Sequence, residues 1–208
     1  MLILLLLFFS GSGLKAQVIP DNYTIPTSVF RQHKDTWLTI DSMATGDCQW
    51  FRNDSLQQTL IVEFATDYWH LYVYHFSNNY IPSGFTYQLP IYKSEAHNTY
   101  KIADDKLKKD YAHQFMDSAY YLPANYFKSN KGARPGISSK QLQDIYGPAQ
   151  RTKQEGADEI WHWEYKGELE DDATAERMKE VANAWGYAVT AWLHNDIVVA
   201  LVIYNGIP

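Results

Sequence analysis

The chain has almost no cysteine, no run of basic residues and no apolar stretch long enough to cross a bilayer. Cys48 is the single cysteine among 208 residues, so no internal disulfide can form. Small extracellular domains often need such staples. A chain with about 190 residues beyond position 16 can bury a real core without them. The formal net charge is −6, with Lys and Arg scattered. That excludes the basic footprint used to hold nucleic acid or anionic membrane surfaces. The N-terminal apolar run, Leu2 to Phe9, has eight residues, against the roughly 20 that a spanning helix requires. A glycine-rich phosphate loop, a His-Glu-x-x-His pair, a Gly-x-Ser-x-Gly elbow and clustered Cys/His ligands are all missing. These absences point away from an enzyme, and they imply no metal and no cofactor.

What is present first is an export signal. The apolar run is followed by Ser10, Gly11, Ser12 and Gly13, then Leu14, Lys15 and Ala16. A short apolar core followed by small residues is the layout of a cleavable secretory signal, although no Lys or Arg precedes it. Cleavage is expected after Ala16. Gln17 stands where a lipoprotein would need its lipid-bearing cysteine, so the expected product is soluble and not anchored. Loss of Lys15 makes its formal charge −7. Export without disulfides fits a bacterial periplasm or secretome.

The sequence reads as an α+β fold in which antiparallel sheets are packed by a few helices. Aromatic residues make up 15 % of the chain, and they suit pleated, half-buried surfaces. In residues 17–131, short strands are expected at 37–40 and 49–52. A hairpin at 59–65 and 68–76 turns at Thr66-Asp67, and a third strand at 85–92 is marked as an edge by Pro90. Asp104 caps a helix to about Met116, with Leu107, Tyr111 and Phe115 as its apolar stripe. The run Asn130 to Pro135 marks the boundary between two halves.

Residues 132–208 carry the clearest local code. Ser138 and Gln141 form a capping box, Ile137 and Leu142 a hydrophobic staple, and Gly147-Pro148 a stop. A strand at 159–165 follows, then a helix-permissive stretch at 167–184. A hairpin at 185–194 and 197–204 turns at Asn195-Asp196. Its register puts Tyr187, Val189, Ala191 and Leu193 on one face with Val198, Ala200, Val202 and Tyr204. Both faces are apolar, so cover is expected on both: helices on one, the N-terminal half or a partner on the other.

The run Gly136 to Pro148, the aromatic strand from Trp161 to Tyr165 and the C-terminal hairpin together resemble the small lipoprotein subunit of the outer-membrane β-barrel assembly machine. They are also similar to the β-lactamase inhibitory protein fold. The resemblance covers residues 132–206. It departs from the lipoprotein family in lacking the lipid cysteine and in carrying an excursion of some 18 residues between the first two strands. It implies a helix followed by a three-stranded antiparallel meander, and a role in binding another envelope or secreted protein.

Several sets of residues are candidates for chemistry. In the expected hairpin register Glu63 lies opposite His70, beside Tyr68, Tyr72 and Tyr74. A carboxylate next to an imidazole can serve acid–base work, which would make a hydrolase, or it can be an ordinary cross-strand pair. Tyr68, Tyr72, Tyr74 and Trp192 can form an aromatic surface for a carbohydrate, a small ligand or a partner. Trp161, Trp163 and Tyr165 either share that role or form core beneath the Ser138 helix. His162 and His194 can approach across the C-terminal sheet. Asp158-Glu159 and the acidic residues 168–172 lack the spacing of a calcium loop. The balance favours a non-enzymatic interaction module.

Overall fold

The computed structural model describes residues 21, 23, 39–40, 43–44, 48–64, 70–95, 98–102, 104–165 and 187–206. The expected export signal, Tyr68, the expected turn at 66–67 and the helix-permissive stretch at 167–184 lie outside them.

The fold is α+β. Its strands in chain order are β1 (Thr39–Ile40), β2 (Met43–Ala44), β3 (Cys48–Asn53), β4 (Gln58–Phe64), β5 (His70–Ser77), β6 (Tyr92–Glu95), β7 (Asn98–Lys101), β8 (Tyr120–Tyr121), β9 (Arg151–Glu155), β10 (Asp158–Tyr165), β11 (Tyr187–His194) and β12 (Ile197–Gly206). The helices are α1 (Ser83–Thr86), α2 (Asp105–Ser118) and α3 (Ser139–Tyr146), with a 3-10 turn at Ala124–Tyr126. Eight strands make one sheet in the order β8-β3-β4-β5-β12-β11-β10-β9. All neighbours in it are antiparallel except the short β3–β8 pair. The two halves of the chain meet inside this sheet: β5 pairs with β12, with Val73 opposite Ile203 and Phe76 opposite Ala200. The N-terminal half thus extends the C-terminal meander sideways.

Both faces are covered by the chain itself. On one face Phe51, Leu60, Val62, Val73, Val189 and Leu201 pack with Leu142 and Tyr146 of α3 and with Leu122, Phe127 and Ile137 from the segments before it. On the other, Trp50, Ile61, Phe76, Ala200 and Val202 pack with Phe85 of α1 and with Ala112 and Phe115 of α2. Trp50 and Phe115 stack with centroids 5.1 Å apart. Each large side chain buried this way contributes roughly 1.5–3 kcal/mol, which lets the fold stand without a disulfide.

Helix α3 follows its local code. Ser138 Oγ accepts from the Gln141 N–H, and Gln141 Oε1 accepts from the Ser138 N–H. Ile137 and Leu142 are both buried in the same cluster. Gly147 adopts φ of 78°, a conformation that favours glycine, and its N–H closes on the Gln143 carbonyl. Ser138→Ala is expected to cost about 1 kcal/mol. Urea unfolding should show a lower midpoint with an unchanged slope.

Four expectations are corrected. Residues 85–92 are not a third strand. The N–H groups of Phe85 and Thr86 turn back to the Pro82 carbonyl and those of Gln88 and Leu89 to Phe85 and Thr86, so local bonds consume the donors a ladder would need. The strand begins only at Tyr92, and it pairs with β7 in a separate two-stranded sheet. The stripe of α2 is rotated: Lys108, Ala112, Phe115 and Met116 are buried while Leu107 is 40 % exposed. Lys108 can lie inside because its Nζ donates to the Tyr87 carbonyl at 2.7 Å, leaving its alkyl stem to pack. In the last hairpin a bulge falls between Trp192 and Leu193, so Trp192 pairs with Ala200 but Leu193 with Val198. One extra residue flips the face: Leu201 and Ile203, not Ala200 and Val202, join Tyr187, Val189 and Ala191. The fourth correction, to the β4–β5 register, bears on the candidate site below. The turn itself is as expected, with Asn195 and Asp196 both at positive φ. Strand β9, which the sequence reading missed, adds the outer edge beyond β10.

Candidate functional site

The expected Glu63–His70 pairing is not in the register. Phe64 pairs with Leu71 and Glu63 with Tyr72, while His70 pairs with Gly206 on β12. The register has slipped by two residues from the expected one. A slip of two preserves the faces, so Glu63 stays on the side of the sheet that carries Tyr72 and Tyr74, with Tyr72 rather than His70 directly opposite. Its carboxylate is buried and accepts from Tyr74 Oη at 2.6 Å.

The aromatic surface is also drawn inward. Tyr74 and Trp192 are each 3 % exposed. Tyr72 is half-buried, in ring contact with Tyr74 and Tyr204. Trp161 and Trp163 are core beneath α3, where the Trp163 and Tyr146 rings lie 5.3 Å apart. The Trp163 indole N–H donates to the carbonyls of Gly147 and Pro148. His162 and His194 are not brought together: they sit opposite Thr190 and Asp158, with the Ile160–Trp192 pair between them. Among the described residues no group of three or more His, Cys, Asp or Glu is placed to hold a metal ion.

Two polar constellations emerge that the sequence did not announce. The first is a buried network on the α3 face. Asp21 is fully buried and accepts from Ser129 Oγ at 2.5 Å, Tyr146 Oη at 2.5 Å and the Lys131 N–H at 2.9 Å. Nearby, Tyr23 Oη lies 2.7 Å from His75 Nδ1, and His75 Nε2 lies 2.9 Å from Gln58 Oε1. The Gln58 amide nitrogen donates to the Pro135 carbonyl, so Oε1 faces the imidazole. Nε2 therefore carries the proton and Nδ1 accepts from Tyr23. Burial first, then the charge of Arg134, lowers the His75 pKa to about 3. Burial first, then Asp21 and Tyr187, raises the Tyr23 hydroxyl well above its ordinary value.

The second is a cleft between the loop after β5 and the β9–β10 turn, with a volume of about 200 Å³. Tyr80, Ser83, Glu155, Asp158 and Trp192 line it. Asp158 Oδ1 accepts from Tyr80 Oη at 2.8 Å and from His194 Nδ1 at 2.9 Å. The Tyr80 and His194 rings lie 4.2 Å apart. Burial, then the hydrogen bond and charge of Asp158, raises the Tyr80 pKa. The carboxylate fixes the imidazole as the Nδ1–H tautomer, an arrangement also used to orient a base. Here the imidazole is not part of the cleft lining, so its role is to hold Asp158. What the arrangement offers is a fixed acceptor, suited to recognition. Asp158 and His194 entered the sequence reading separately, and only the β10–β11 pairing across residues 166–186 joins them. No known protein family, curated protein or solved structure matches this chain.

Proposed function

We propose that this chain is an exported, non-enzymatic interaction module that binds another protein of a bacterial envelope or secretome, released by cleavage after Ala16. The reading draws on the signal-like N-terminus, on the missing catalytic motifs and on the resemblance of the helix and meander to envelope protein-binding folds. Among the described residues no helix is long and apolar enough to cross a membrane, which is compatible with an unanchored product.

The observation that carries it is where recognition can occur. Both sheet faces are filled by the chain's own helices and loops, so a partner is met at a rim. At one rim a nearly buried carboxylate, Asp158, is held from two sides within an open cleft. In-cell crosslinking followed by mass spectrometry tests the reading. It is expected to join residues around the β9–β10 turn, Lys153 among them, to one envelope or secreted protein. Recovery of monomer alone under several crosslinking conditions overturns it.

A further inference from the structure

We propose that the cleft is a receptor for a single basic side chain, Lys or Arg, of a protein partner. The inference rests on the interaction-module reading and gives it a point of contact. A volume of about 200 Å³ is below the roughly 300–1,000 Å³ of ordinary small-molecule sites and suits one functional group on a stem.

The charged side chains of the lining are of one sign: Glu155 and Asp158 belong to it, and no Lys or Arg does. The Asp158 side chain is 9 % exposed. Its Oδ1 is occupied by Tyr80 and His194, which stops the carboxylate from rotating, and its Oδ2 has no partner among the described residues. A carboxylate oxygen held in this way can only accept, and a cationic donor makes the shorter, stronger bond.

Glu155 supplies the second acceptor. A Cβ at position 84 would come within 2.6 Å of its Oε1, so the carboxylate lies against α1 because residue 84 is glycine. Glu155 Oε2 already holds an ammonium, Lys153 Nζ at 3.1 Å, from a lysine whose side chain is 71 % exposed. That exposed cation is the one an incoming side chain displaces. Independently of the carboxylates, Trp192 lines the cleft, is 3 % exposed, and its indole N–H meets no acceptor. A basic residue of a peptide chain brings the cation that the two carboxylates can hold, and its stem lies along the Trp192 ring that lines the cleft.

The experiment titrates ¹⁵N-labelled protein with Nα-acetyl-arginine amide and Nα-acetyl-lysine amide. The indole resonance of Trp192, assigned with Trp192→Phe, is followed. Saturable shifts in the millimolar range are expected, with none from uncharged Nα-acetyl-norleucine amide. Asp158→Asn should weaken binding about tenfold or more. Glu155→Gln and Gly84→Ala, which moves Glu155 aside, should weaken it several-fold with the rest of the spectrum unchanged. Lys153→Gln should tighten it. An absent shift, or equal affinity in wild type, Glu155→Gln and Gly84→Ala, overturns the proposal. Spermidine binding more tightly than either amide overturns the assignment to a protein side chain. Crosslinks to a partner that survive Glu155→Gln sink this inference and leave the interaction reading standing. Binding of the amides with no partner captured does the reverse.

Discussion

Taking the pH from 7 to 4 is expected to remove on the order of 3 kcal/mol of folding stability through one residue, His75. The imidazole is fully buried in its neutral form, between Tyr23 and Gln58 and edge-on to Phe127. Its folded pKa is about 3, against about 6.5 in an unfolded chain. Between those values the unfolded chain binds a proton that the folded chain refuses. Stability therefore rises with pH in that window, by about 1.4 kcal/mol per unit. It is fully present above pH 6.5 and is lost as the pH falls toward 3. Burial strips the cation of water, Leu60 and Leu201 lie opposite on the neighbouring strands, and the Arg134 charge repels it. Urea unfolding of wild type and His75→Gln at pH 7 and pH 4 measures the term. The variant is expected to be weaker at pH 7, because Tyr23 and Gln58 lose their shared partner, yet to fall less steeply with acid. Parallel pH dependences would show that His75 does not carry the acid sensitivity.

How far the sequence reveals this fold depends on the range of the signal. Helix α3 and the Asn195-Asp196 turn are each specified within about ten residues, by a cap, a staple, a glycine stop and a pair of residues tolerant of positive φ. The faces of β4 and β5 are likewise legible, because alternation survives a slip of two. The register is not, since a two-residue turn at Thr66-Asp67 suits the alternation on paper as well as the observed pairing of Glu63 with Tyr72 does. The bulge at Trp192/Leu193 is invisible for a related reason. Ile197 to Tyr204 is apolar at every position, so the pattern cannot say which residues face which side. Phe85, Leu89 and Ile91 share a strand's parity and are all buried, but Tyr87 between them is 54 % exposed, because Phe85 reaches the core from α1 and the others from turns. The candidate cleft is hardest to see, because Tyr80, Glu155, Asp158, Trp192 and His194 come from three segments that only the closed sheet assembles.

Replacing Asp21 is expected to be the other severe change: Asp21→Asn should cost about 3 kcal/mol, as removal of one partner from a buried charged cluster does. The carboxylate is fully buried. It binds three donors from two parts of the chain: Ser129 and Lys131 in the segment between the halves, and Tyr146 at the end of α3. An amide keeps the shape but turns one accepting oxygen into a donor aimed at donors. The same contacts place the N-terminal segment, because Asp21 and Tyr23 enter the core two residues apart, one at α3 and the other at β5. If processing occurs after Ala16, Asp21 is the fifth residue of the mature chain, so the anchor lies almost at its start. Tyr146→Phe removes a single donor and should cost only about 1 kcal/mol. The two losses should not add, because they share a bond. Thermal or urea unfolding of both single variants and the double variant measures this coupling. A loss under 1 kcal/mol for Asp21→Asn, or strict additivity with Tyr146→Phe, would mean that this carboxylate does not fasten the N-terminal segment to the helix.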